Sequence, residues 1–216
     1  MKISFNELYK RCIYSSIAHA VYTFREPFFA FEQSWDNKNF SFYINSTRGT
    51  ISFDEGKQIV SAAARYESSN RIQLYPAKNA VDLFKGASKD VVALAESEAL
   101  QYLIDDVNGI QCPVATVAMW NKGNEITLSD SEDVFVEHGG DFILKLCNPN
   151  FNLVDHWQQE YELTPIESDL INNIFTSFMS NQQIALNKES KKMLKKSKGK
   201  KQGLESLSEI GIKLKI

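Results

Sequence analysis

The chain has 216 residues, 43% of them hydrophobic and 24% charged, with a net charge of −3; this is the composition of a soluble globular protein long enough to bury a sizeable core. It excludes a disordered chain, and no apolar run approaches the roughly 18–20 residues that cross a bilayer. The three cysteines, Cys12, Cys112 and Cys147, are odd in number and far apart, which fits neither a disulfide framework nor a zinc spacing and suits a reducing cytoplasm.

The first segment opens with Ser4 and Glu7 in capping-box spacing. Leu8, Cys12, Ile13, Ile17, Val21 and Phe24 follow at helical intervals, which predicts a helix from about 5 to 24 closed by Pro27. Lys2, Glu7 and Lys10 leave no apolar stretch for a secretory signal. Phe28, Phe29 and Phe31 sit in the next connector and are expected to plug the core.

Residues 40–53 alternate. Phe40, Phe42 and Ile44 point one way, Ser41, Tyr43 and Asn45 the other. Thr47-Arg48-Gly49 is expected to turn the chain, and Ile51 and Phe53 to resume the apolar face. Residues 58–66 fit two elements: Val60, Ala62, Ala64 and Tyr66 alternate as in a strand, the reading adopted, while the alanine run tolerates helix; residues 72–75 read as a short extended piece. Ser88 is placed to cap a helix running to about 105 and ended by Asn108-Gly109. Val114 to Trp120 is apolar on both faces, as in a central strand. Residues 121–124 predict a hairpin turn into 125–128. Residues 131–147 read as a helix cut by Gly139-Gly140, and Thr164-Pro165-Ile166-Glu167 as a helix start. The order predicts an α+β fold: a mainly antiparallel sheet of about five strands with an N-terminal, a central and C-terminal helices.

Charge is unevenly spread. Residues 188–201 hold eight Lys and one Glu, and residues 202–216 balance, so 1–187 carry −10. A single domain over 1–187 followed by a mobile lysine-rich tail over 188–216 is the organisation this implies. An acidic body repels nucleic acid and attracts a basic protein. The tail has no Arg and no aromatic, so it offers phosphate contact without base readout. No amphipathic or acyl signal directs it to a membrane.

Motifs for catalysis are few. No nucleophile elbow, phosphate loop, dinucleotide fingerprint or paired-His zinc motif occurs. His19 reads as a packed histidine. His138 with Asp141, beside two glycines, is the one arrangement that proton transfer could use, and it supports a hydrolase or transferase reading. The more economical account of His138-Gly139-Gly140 is a helix break. No catalytic residue, metal site or cofactor is assigned. The more economical account of residues 35–40 packs Trp35 at the sheet edge, with Asp36, Asn37 and Asn39 turning the chain into the first strand; the competing one makes Trp35, Asp36, Tyr43 and Arg48 candidate partner contacts, because an aromatic patch with an arginine is what binding hot spots are made of. Glu132 and Asp133 are a candidate acidic rim.

Ser34-Trp35-Asp36-Asn37-Lys38-Asn39-Phe40 and Thr47-Arg48-Gly49-Thr50-Ile51-Ser52-Phe53, after a Phe-rich lead-in, resemble a pattern of small bacterial proteins. That pattern has the form S-W-D-G-x-N-[YF], a gap, then [TS]-R-G-T-I-[ST]-F. Asn37 stands where it has Gly. The proteins that carry it are similar to immunity-type proteins of interbacterial toxin systems. The resemblance covers about residues 25–66 and brings no catalytic residues. It implies a cytoplasmic protein that binds and blocks a basic toxin. The competing expectation is a subunit of a defence or regulatory complex that touches nucleic acid through the tail.

Overall fold

The computed structural model describes residues 1–215. Helix α1 spans Phe5–Arg25, and a 3₁₀ turn follows at Pro27–Glu32. Strands β1 (Gln33–Asp36), β2 (Asn39–Ile44), β3 (Thr47–Asp54) and β4 (Ile59–Tyr66) come next. Helix α2 (Lys89–Leu94) runs on through a π turn at Ala95–Ala99 and a 3₁₀ turn at Gln101–Leu103. Strands β5 (Ile104–Val107), β6 (Ile110–Pro113), β7 (Val117–Lys122) and β8 (Glu125–Leu128) precede helices α3 (Glu132–Phe135) and α4 (Asp141–Cys147). The chain ends with α5 (Leu153–Glu160), α6 (Pro165–Met179), α7 (Lys188–Lys196) and α8 (Lys200–Glu209). The fold is α+β. An antiparallel sheet has the order β1-β2-β3-β4-β7-β8, six strands rather than five, and β5 and β6 form a separate hairpin.

Contacts divide the chain into two compact units. One comprises residues 1–9 and 38–151, the other 10–37 and 152–216.

In the first unit both faces of the sheet are covered. Phe40, Phe42, Ile51, Phe53 and Met119 are buried on one face. Phe5 and Tyr9 set their edges against Phe53, and Phe142 packs on Phe42 at 4.9 Å. On the other face Ala63, Ala118 and Trp120 join Phe84, Val91, Ala95, Leu100 and Leu103 in a second core. Ala63 on β4 lets α2 and its π turn come close.

The β2–β3 turn is not at Thr47-Arg48-Gly49. Asn45 and Ser46 make it, at φ 50° and 58°, with Ile44 opposite Thr47. Two left-handed residues give the turn twist that a two-residue hairpin requires. Gly49 lies inside β3, opposite Phe42, and a Cβ there would fall 2.3 Å from the Phe42 ring. Its glycine serves close packing.

Other expectations also change. Asn108-Gly109 does not end a helix but turns β5 into β6, with φ 57° and 82°. Helix α2 with its continuation stops at Leu103 because Ile104 and Val107 pair with Pro113 and Ile110. Residues Asn70–Leu74 form a 3₁₀ turn capped by Ser69, where an extended piece was expected. The lysine-rich segment, expected to be mobile, carries α7 and α8. Leu194 and Leu207 are fully buried, and the Asn187 side chain caps α7 through the Ser190 amide at 2.7 Å.

The break at Gly139-Gly140 occurs as predicted. Gly139 takes φ 99°, and a Cβ on it would meet Tyr66 Cβ at 2.5 Å; on Gly140 it would meet the Phe135 ring at 2.0 Å. Gly140→Ala should cost about 1–3 kcal/mol, the usual penalty for overpacking a core. Ser46→Gly should gain roughly 0.5–1 kcal/mol by relieving a left-handed serine. Urea unfolding of the two variants beside the parent checks both signs.

Candidate functional site

The expected patch is only partly assembled. Trp35 is 7% exposed. Strand β1 alternates inward and outward, so Gln33 and Trp35 are buried while Ser34 and Asp36 face out. The Trp35 indole donates to Ser16 Oγ at 2.6 Å, and its backbone N–H donates to Glu209. Trp35 is therefore a core residue, not a surface anchor. Tyr43 and Arg48 do meet, as register partners on β2 and β3, and both are half-buried. Tyr43 Oη donates to Glu67 at 3.3 Å. Arg48 lies opposite Arg65 on β4, and Asp105 takes Arg65 at 2.9 Å and Arg48 at 4.0 Å. Asp36, in the second unit, is exposed, and so are Glu132 and Asp133 at the start of α3.

His138 and Asp141 do not pair. Asp141 binds Lys145 one turn on at 2.7 Å. His138 Nδ1 lies 2.9 Å from Ser69 Oγ, and its carbonyl accepts from Thr116 Oγ1. A hydroxyl on an imidazole is half of a nucleophile–base pair. Ser69 is nevertheless buried, and its Oγ already accepts the Arg71 amide that it caps. Beside it Arg71 grips Asp130 with two bonds of 2.8 and 2.7 Å and donates to the Thr116 carbonyl. That guanidinium, with help from Ser129, holds the Asp130 carboxyl below its usual range. The cluster ties 66–71 to 116 and 130, a brace between loops. Among the described residues no group of His, Cys, Asp and Glu could hold a metal ion.

The sequence reading missed a different surface, in the second unit. Phe28 and Phe31, expected in the core, are 78% and 60% exposed. They end a continuous aromatic series. Trp157 stacks on Tyr161 at 4.8 Å, Tyr161 on Tyr22 at 4.3 Å, and Tyr22 touches Phe29 at 5.8 Å. Phe29 sets its edge to Phe28 at 5.5 Å, and Phe28 to Phe31 at 6.2 Å. The inner end is anchored, since the Trp157 indole donates to Ser15 Oγ at 3.0 Å. Gln33 Nε2 donates to Tyr161 Oη at 3.2 Å, and His19 Nδ1 shares a hydrogen bond with the same hydroxyl at 3.1 Å. Glu26, Glu32, Glu160 and Glu162 supply the acidic field around this series. Burial and then the Glu160 charge raise the Glu32 carboxyl, and burial followed by Glu26 raises the Tyr22 phenol. Phe28 and Phe31 lie three apart on the 3₁₀ turn Pro27–Glu32, a spacing that puts both on one face, and composition does not reveal it.

Comparison with protein families, curated proteins and solved structures gave no match.

His19 supplies a pH test of the anchored end. Burial pushes its imidazole down to about 4, against the pull of the Ala30 and Phe29 backbone. The unfolded chain, with an ordinary value near 6.5, then binds more protons between those limits. Stability should fall as pH drops from about 6.5 to about 4, by roughly 3 kcal/mol in all, and this contribution should level off below. Urea unfolding at pH 7 and pH 4.5 measures it, with His19→Gln expected to show a shallower loss.

Proposed function

We propose that the chain is a non-enzymatic binding domain that docks a basic protein, and that it acts as a neutraliser of the immunity type. The observation that carries this is the exposed Phe28–Phe31 pair, held at the end of a buried aromatic stack and set among carboxylates. Large aromatics fixed at a surface lose little entropy on binding, and such residues dominate interface energies. Acidic charge over 1–187 speeds encounter with a cationic partner. The resemblance at residues 34–53 leads to the same class. Asp36, exposed in the same unit, is a supporting contact of this surface; Trp35 is not, since its side chain is buried.

The test begins with capture of the tagged protein's partner from its own host at moderate salt, followed by affinity measurements on the purified pair. Phe28→Ser with Phe31→Ser should weaken binding by about 2–4 kcal/mol, the scale of a hot spot. Glu26→Gln with Glu162→Gln should slow association and flatten its salt dependence. A partner whose affinity ignores both aromatic changes, or a capture of nucleic acid alone that salt releases, would overturn the proposal.

A further inference from the structure

The second unit also holds a groove of about 530 Å³, inside the range of about 300–1,000 Å³ typical of small-molecule sites. Three helix ends frame it: the end of α1, the start of α6 and the end of α7. Phe24, Ile166 and Met193 give it apolar walls, and Lys196 and Lys198 stand on its border.

The charges on the groove sort into two kinds. Glu167 is buried and fully engaged. Its carboxylate accepts the Thr164 amide at 2.8 Å, the Thr164 hydroxyl at 2.9 Å and Arg25 Nη1 at 2.8 and 3.0 Å. Arg25 is spent as well, because its other nitrogen donates to the Tyr161 carbonyl. Lys196 and Lys198 form no ion pair among the described residues, and they stand against one exposed carboxylate, Glu26. An apolar trough with a surplus of ammonium groups at its border selects a molecule with an alkyl body and one anionic head.

We propose that this groove binds a single-chain anionic amphiphile, with the alkyl chain along Phe24, Ile166 and Met193 and the carboxylate or phosphate head at Lys196 and Lys198. This ligand site does not use Phe28 or Phe31, although Glu26 borders both, so the loss of either binding activity leaves the other to be tested by its own substitutions.

The test titrates the full chain, by calorimetry below micelle-forming concentrations, with four probes sharing a dodecyl chain. These are dodecanoate, dodecyl phosphate, neutral dodecyl maltoside and cationic dodecyltrimethylammonium. The two anions should bind one per chain and at least about tenfold more tightly than the other two. Dodecanoate against dodecyl phosphate tells a carboxylate site from a phosphate site. Lys196→Gln with Lys198→Gln should remove most of the anion preference; both side chains are exposed, so the fold should tolerate the change. Met193→Gln should weaken all four probes. Equal affinity across the heads, several molecules bound per chain, no binding at all, or anion binding unchanged by the lysine substitutions would each overturn the proposal.

Discussion

Tyr161 is where the second unit is held together. Its ring lies between Tyr22 and Trp157, and its hydroxyl joins His19 to Gln33. Its carbonyl takes Arg25. One residue thus links α1, the strand that follows the Phe-rich turn, and α5. Burial raises its phenol far above the ordinary range, so at neutral pH it acts as a neutral donor and acceptor. Ionisation there would leave a buried charge without compensation. The exposed phenylalanines depend on this arrangement, because they continue a stack whose inner end cannot shift.

The first unit depends on close approach instead. Gly49 admits the Phe42 ring, Gly140 admits Phe135, and Ala63 of β4 admits α2 with its π turn. Each lacks a bulky side chain opposite a large one. The second face of the sheet is thereby closed. Residues 41–53 are mostly two-sided core, with Tyr43 and Arg48 left partly open near the hairpin end.

Where a local rule was unopposed, the sequence was informative. Thr164 and Glu167 form the full capping box that their spacing implies, and Arg25 completes it from a distance of 142 residues along the chain. Helix α1, the β7–β8 hairpin and the break at Gly139 are equally plain, whereas the alanine run of β4 suited helix and strand alike. Misreadings arose where one signal had two uses. Asn-Gly at 108–109 suits a helix end and a hairpin alike, and only the pairing of Ile104 with Pro113 decides. Gly49 suggested a turn because glycine permits positive φ, yet its value lies in having no Cβ. Exposure was the least legible property. Trp35 fits both a packed sheet-edge residue and a surface contact, and only the fold decides for the first; Phe28, expected in the core, is exposed.

The turn between α7 and α8 bears on how the lysines behave. Gly199 donates to the Phe24 carbonyl at 3.0 Å, and a Cβ on it would lie 1.9 Å from the Thr23 carbonyl oxygen. The chain is seated against the end of α1 at a point where no other residue fits. Lys188, Lys191, Lys192, Lys195 and Lys196 are therefore held one turn apart on a helix, where like charges at these spacings repel by about 0.2–0.5 kcal/mol per pair. Ions in solution screen that repulsion. Added salt should tighten this helix while it loosens exposed pairs such as Lys201–Glu205, so ionic strength acts on neighbouring segments of the same chain with opposite sign.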